Sequence, residues 1–130
     1  MAADLRKSLE QLEKDVWPDP GPSSYLVARC HALRKVPIQS LDAEGLRILI
    51  GQRIGQPHLV PLAMKLLSEN PLTDGGYYPG DLLIQVVKTA AGDVDQSILA
   101  DLCQAAHAHP DQRFSKADLT LLEGVLANQP

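Results

Sequence analysis

The chain contains no long apolar run, no apolar leader and no cluster of Lys and Arg. Each absence removes a class of function. A bilayer span needs about 20 predominantly apolar residues, and the apolar runs here last only a few, so no membrane-spanning segment is expected. The opening MAADLRKSLEQLEKD is charged throughout and lacks the apolar stretch of a secretion signal, which predicts a cytoplasmic protein. Cysteine is limited to Cys30 and Cys103, far apart in sequence, so a disulfide is not expected in a reducing compartment. Aromatic residues make up only 4% of the chain, so each one in a loop carries information.

The 130 residues carry a formal charge of −4, and that charge is unevenly placed. Residues 1–70 are close to neutral, with nine Lys or Arg against eight acids. Residues 71–112 carry Asp74, Asp81, Asp93, Asp95, Asp101 and Asp111 against Lys88 alone, a balance of −5. Phosphate binding needs clustered cations, so nucleic acid is not expected as a direct ligand. A basic protein partner is, because an acidic surface steers its approach. The competing structural account is that aspartates gather at helix N-termini, where they cap exposed amides.

Hydrophobic spacing predicts helices throughout, and no stretch alternates for long enough to form a strand. Leu5, Leu9, Leu12 and Val16 form a first amphipathic stripe ending at WPDPGP. Ser23 or Ser24 caps a second helix with Leu26, Cys30 and Leu33 inside, ending before Pro37. A third follows Ser40 or Asp42, buries Leu46, Leu49, Ile50 and Ile54, with Ile48 widening the stripe, and closes at Gly55 in a left-handed conformation. The fourth contains Pro61, so regular helix is expected only from about that residue. A turn at Asn70, Pro71 and TDGG leads into a fifth, carrying Leu82, Leu83, Val86, Val87 and Ala90 and closed by Gly92. The sixth presents Ile98 or Leu99, Leu102, Cys103 and Ala106. A seventh starts after Ser115. The expectation is an all-α fold: a single compact domain over residues 1–130, made of about seven short antiparallel-packed helices.

Catalytic signatures are missing. The sequence has no GxSxG elbow, phosphate loop or HExxH. Cys103 and His107 share a helix face, but two ligands make no zinc site without help from Cys30, His31, His109 or Asp111. Glu10 and Glu13 lie among Lys7, Gln11 and Lys14, which reads as a solvated face. No metal or cofactor is expected.

The segment LRILIGQRIGQPHLVPLAMKLLSENPLTDGGYYPGDLL, residues 46–83, resembles a family of bacterial immunity proteins from contact-dependent growth inhibition (CDI) systems. The likeness lies in the Leu-Arg-Ile step at 46–48, IGQ at 50–52, IG at 54–55, LVPLA at 59–63, Asn70-Pro71-Leu72 and the step from Tyr78 to Leu83. Trp17 and SYLVARCHALRK at 24–35 are similar to the family's beginning. The likeness covers about residues 10–88, leaving a helical extension at 93–128. It implies a non-enzymatic protein that binds and neutralises one cognate toxin domain, often a nuclease. Composition alone leaves open an acidic helical adaptor for a basic cellular protein.

The family-like structural set is Gly55, Pro61, Pro71, Tyr78, Pro79, Gly80 and Asp81. Pro79 suits a first helical position, Asp81 suits the helix dipole, and Tyr78 packs back as a staple. Toxin contact is assigned to Asp74, Tyr77, Asp93, Asp95 and Asp101, with Tyr25 as a further aromatic anchor. Carboxylates suit the cationic groove of a nuclease, and aromatics suit the centre of an interface.

Overall fold

Six apolar side chains in one ten-residue helix, Leu82, Leu83, Ile84, Val86, Val87 and Ala90, are all buried, which puts that helix at the centre of the molecule. The structure is a computed structural model and describes residues 4–128. Its helices are α1 (Leu9–Glu13), α2 (Tyr25–Leu33), α3 (Ala43–Gly51), α4 (Gln56–Glu69), α5 (Asp81–Ala90), α6 (Gln96–His107) and α7 (Lys116–Ala127). Short 3-10 turns occupy Ile38–Ser40 and Ala91–Asp93. Among the described residues there is no strand, only two isolated bridges. The all-α expectation holds.

Helix α5 packs against α3, α4 and α7, while α6 reaches the core chiefly through α7. Buried side chains from Leu9 to Leu122 form one continuous apolar cluster. Helices α3 and α5 lie side by side in the same direction: Arg47 faces Asp81, Gly51 faces Gln85, and Arg53 donates to the Thr89 carbonyl. The expected antiparallel packing therefore does not extend to the central pair.

Local chemistry sets most boundaries. Ser24, Asp42, Asp95 and Ser115 each cap a helix by accepting from an amide of its first turn. Such caps contribute about 0.5–2 kcal/mol each. The first helix is shorter than its apolar spacing suggests. It starts at a reciprocal capping box between Ser8 and Gln11 and stops at Lys14, whose φ is 53°. Leu5 and Val16 are left exposed.

The chain beyond α1 is held by Arg34 instead. Its buried guanidinium donates to Glu13 Oε1 at 2.8 Å and to the Asp15 carbonyl at 2.9 Å, and lies 4.0 Å from the centre of the Trp17 ring. Glu13, expected on a solvated face, thus serves as the counter-ion of a buried cation.

Three other boundaries differ from expectation. Helix α2 ends at Leu33, well short of Pro37, and Leu26 is exposed, lining a cleft with Arg47 and Ile48 of α3 instead of entering the core. Gly55 is left-handed, with φ 66°, but opens α4 and does not close α3. Helix α4 is regular from Gln56, with Pro57 in its first turn and Pro61 inside it on the exposed side. Pro61 has no amide to bond back to the residue 57 carbonyl, and the five residues before it remain helical nonetheless.

The fifth helix starts at Asp81, not at Pro79, and ends at Ala90, not at Gly92. Gly80 caps it with φ 94°, and its amide bonds back to the Leu72 and Thr73 carbonyls at 3.1 and 3.2 Å. A Cβ there would lie 2.5 Å from the Phe114 ring, so the close approach of this ring requires glycine. Phe114 also meets Tyr78 edge to face, with ring centres 6.5 Å apart. Through that ring the C-terminal segment locks onto the start of α5. Leu99, not Ile98, takes the buried position on α6; Ile98 is 50% exposed.

Candidate toxin-binding surface

Two tyrosines far apart in sequence meet over α3. Tyr25 and Tyr77 are 77% and 78% exposed, the most open aromatic side chains among the described residues. They line one cleft of about 260 Å³ together with Leu26, Glu44, Arg47 and Ile48. An adjoining hollow shares Leu26, Arg47, Ile48 and Tyr77 and continues to Gln85.

Each wall has a local cause. Tyr25 is the first residue of α2, fixed by the Ser24 hydroxyl accepting from the Val27 amide at 3.2 Å. Tyr77 is held by the loop between α4 and α5. The buried Asp81 carboxylate reaches back to accept from the amides of Gly75 and Tyr77, the latter at 2.9 Å. Arg47 Nε donates to the Gly75 carbonyl and lies 3.6 Å from Asp81 Oδ2. The Arg47 guanidinium sits 4.1 Å from the centre of the Tyr77 ring.

Asp81, Arg47 and the loop backbone therefore form one polar unit that presents Tyr77 outward. Gly75 is required by closeness: a Cβ would fall 2.8 Å from Asp81 Oδ1 and 3.0 Å from Arg47 Cβ. Asp74, exposed, accepts from the Gly76 amide at 2.7 Å and finishes the turn. Pro71 begins the same connection, and Pro79 forms an isolated bridge with Asp74. Next to Tyr77, Tyr78 points the other way. Burial, with a hydrogen bond to Asp118, holds its phenol well above the usual tyrosine range.

The remaining acids lie elsewhere. Asp93 and Asp95 follow the C-terminal end of α5, about 15 Å of helix rise from the Tyr77 loop. They line a second groove, between α4 and α6. Asp95 is also the α6 cap: hydrogen bonds from the Ser97 hydroxyl and the Ile98 and Ser97 amides lower its carboxyl pKa. The structural account of aspartates at helix starts thus applies fully to Asp95. Asp101 is exposed farther along α6. Tyr77 and Asp74 share one loop, whereas Asp93 and Asp95 lie past the other end of the molecule's central helix and Asp101 lies on α6.

The groups considered for other chemistry have structural roles. Among the described residues, no three or more of His, Cys, Asp and Glu are grouped as metal ligands would be. His107 Nε2 lies 3.8 Å from Glu123, and His109 Nδ1 accepts from the Asp111 amide at 3.0 Å. Cys30 and Cys103 are both buried, and burial pushes both thiols up, Cys103 to about 11. A raised pKa leaves little thiolate near neutral pH. Iodoacetamide is therefore expected to label neither cysteine in the folded chain and both in denaturant; fast labelling of the native protein would contradict the packing.

Exposed aromatics on a rigid support are the arrangement found at the energetic centre of protein interfaces. A family model for CDI immunity proteins matches residues 11–102, and the chain belongs to that family. No curated protein and no solved structure matches it. Membership carries toxin neutralisation as the family's role. The match runs past residue 88 to the middle of α6, so Asp93, Asp95 and Asp101 fall within it, and of the six aspartates between residues 71 and 112 only Asp111 lies beyond. These acids therefore do not belong to a segment outside the family pattern. Among the described residues no helix is long and apolar enough to cross a membrane.

Proposed function

We propose that this chain acts in the cytoplasm as the immunity partner of a nuclease toxin, binding the toxin's C-terminal domain and covering its substrate groove. The family match over residues 11–102 carries this reading, and the charge gives it a direction. A nuclease groove must attract phosphate and is rich in Lys and Arg. Asp74, Asp93, Asp95 and Asp101 are exposed, whereas Asp81 is buried and spent on the Tyr77 loop. Four carboxylates facing solvent suit a cationic partner surface.

Charge and aromatic contact divide the work. Nanomolar binding requires about 12 kcal/mol, while exposed ion pairs contribute about 0.2–1 kcal/mol each. Anchors must supply most of it, and Tyr77 and Tyr25 are placed for that role. The acids act mainly on the encounter rate. Association with the cognate toxin domain is expected to slow by roughly tenfold between low and physiological salt. Stopped-flow measurement checks this; a salt-independent rate would remove the acids from the encounter. Co-expression of the two proteins tests the function itself: cells carrying both grow, and cells carrying the toxin domain alone lose their nucleic acid and stop.

A further inference from the structure

The groove between α4 and α6 has an apolar floor and an acidic rim. Val60, Pro61 and Met64 form one wall, with Val94 and Ile98 opposite. The volume is about 560 Å³, larger than the tyrosine cleft. Ile98 is half exposed in a helix whose next residue, Leu99, is fully buried, so its side chain adds nothing to the core and belongs to the groove. Asp93 and Asp95 stand on the rim, and no Lys or Arg lines it. Among the described residues, neither carboxylate has an ion-pair partner.

A short relay of side chains leads from this groove to the hollow beside the tyrosine cleft. Gln85, against Gly51, lines the hollow beside Tyr77. One turn later the Thr89 hydroxyl donates to the Gln85 carbonyl at 2.9 Å, and the Thr89 carbonyl accepts from Gln56 Nε2 at 3.3 Å. Gln56 itself lines the α4–α6 groove. A partner spreading over about 800 Å² covers a patch about 30 Å across, enough to reach both places.

We infer that this groove seats a basic amphipathic segment of the toxin, with an apolar side chain inserted beside Ile98 and Met64 and a lysine or arginine held at Asp93 and Asp95. The inference rests on the immunity reading and adds a second contact region, with defined chemistry, to it. An apolar floor selects an apolar side chain, and a rim with carboxylates only selects a cation beside it. A purely apolar occupant would take water from both carboxylates without bringing a cation to offset the loss.

The test uses the full chain and its purified cognate toxin domain. Ile98→Glu is expected to weaken toxin binding at least about tenfold, mainly through faster dissociation. Asp93→Lys is expected to slow association and flatten its salt dependence. Both variants should melt with the wild type, since Ile98 and Asp93 are at the surface; Asp93 is chosen over Asp95 because Asp95 caps α6. Asp93→Lys keeps the test readable if Ile98→Glu fails to fold. Wild-type binding with both variants unaffected would overturn the inference and leave the immunity reading intact. Failure of the wild type to bind would overturn both. Loss of a wild-type homodimer in Ile98→Glu, with toxin affinity unchanged, would make the occupant a second copy and equally overturn it.

Discussion

Asp81→Ala is expected to lower the unfolding free energy by about 3–5 kcal/mol, the largest stability loss of any single change discussed for this chain. The carboxylate is 2% exposed and serves three groups together: the Gly75 amide, the Tyr77 amide and the Arg47 guanidinium. Removing it leaves two amides unpaired and strips a poorly hydrated cation of its counter-charge. Each of those losses is costly, because buried polar groups lose water without regaining a partner. For a chain of this length the melting temperature should fall by about 10–20 °C. Asp81→Asn retains an acceptor and should lie between the wild type and the alanine variant. Urea unfolding measures both, and a loss below about 1 kcal/mol for Asp81→Ala would show that the carboxylate does not hold the loop. Below its melting point, Asp81→Ala should also bind toxin more weakly, since Tyr77 loses its support.

Tyr77→Ala and Tyr78→Ala should separate affinity from stability, although the two residues are adjacent. Tyr77 is 78% exposed and touches its own protein mainly through the Arg47 guanidinium, a contact of about 0.5–1 kcal/mol at an exposed site. Its loss should barely move the melting temperature but cost at least about 2 kcal/mol of toxin binding, roughly thirtyfold in Kd. Tyr78 meets the Phe114 ring and shares a hydrogen bond with Asp118, tying α7 and its preceding loop to the start of α5. Its truncation should cost about 2–4 kcal/mol of stability, with toxin affinity of the folded fraction nearly unchanged. Calorimetric titration and thermal melts on both variants settle the ranking. The reverse order would place the toxin on the Tyr78 side.

The two substitutions also show how unevenly the sequence reveals this molecule. Helix order and most core faces follow from local spacing, because burial of Leu46, Leu49, Leu82, Val86 or Leu102 is encoded within a few residues. The caps at Ser24, Asp42, Asp95 and Ser115 are equally local. What local pattern does not carry is long-range partnership. Arg34 looks like any helix-end cation until Glu13 and the Asp15 carbonyl arrive from some twenty residues upstream. Leu5 and Val16 continue an apolar stripe, yet the capping box at Ser8 and the left-handed Lys14 leave both outside it. Pro61 signals a late helix start, but the α4 backbone tolerates its missing amide on the exposed side.

The candidate surface divides the same way. Tyr77 stands out in sequence because it lies between a Gly pair and Tyr78-Pro79. Its supports do not: Arg47 is one helical cation among several, and Asp81 suggests a dipole contact where it in fact closes the loop. The pairing of Tyr25 with Tyr77 becomes visible only once α2 and the Tyr77 loop are both set against α3. For the aspartates the sequence shows the charge excess but not its placement, and Asp81 and Asp95 prove to be structural in different ways. Asp93 is left as the clearest free carboxylate beside an apolar groove.

Complex formation with the cognate toxin domain is the central expectation for this protein. Titrating that domain with the purified protein while following nucleic acid cleavage measures it directly. A one-to-one complex in the nanomolar range, with cleavage lost in proportion to the protein added, is the predicted result. Undiminished cleavage in the presence of excess protein, or no complex at micromolar concentrations, would contradict it.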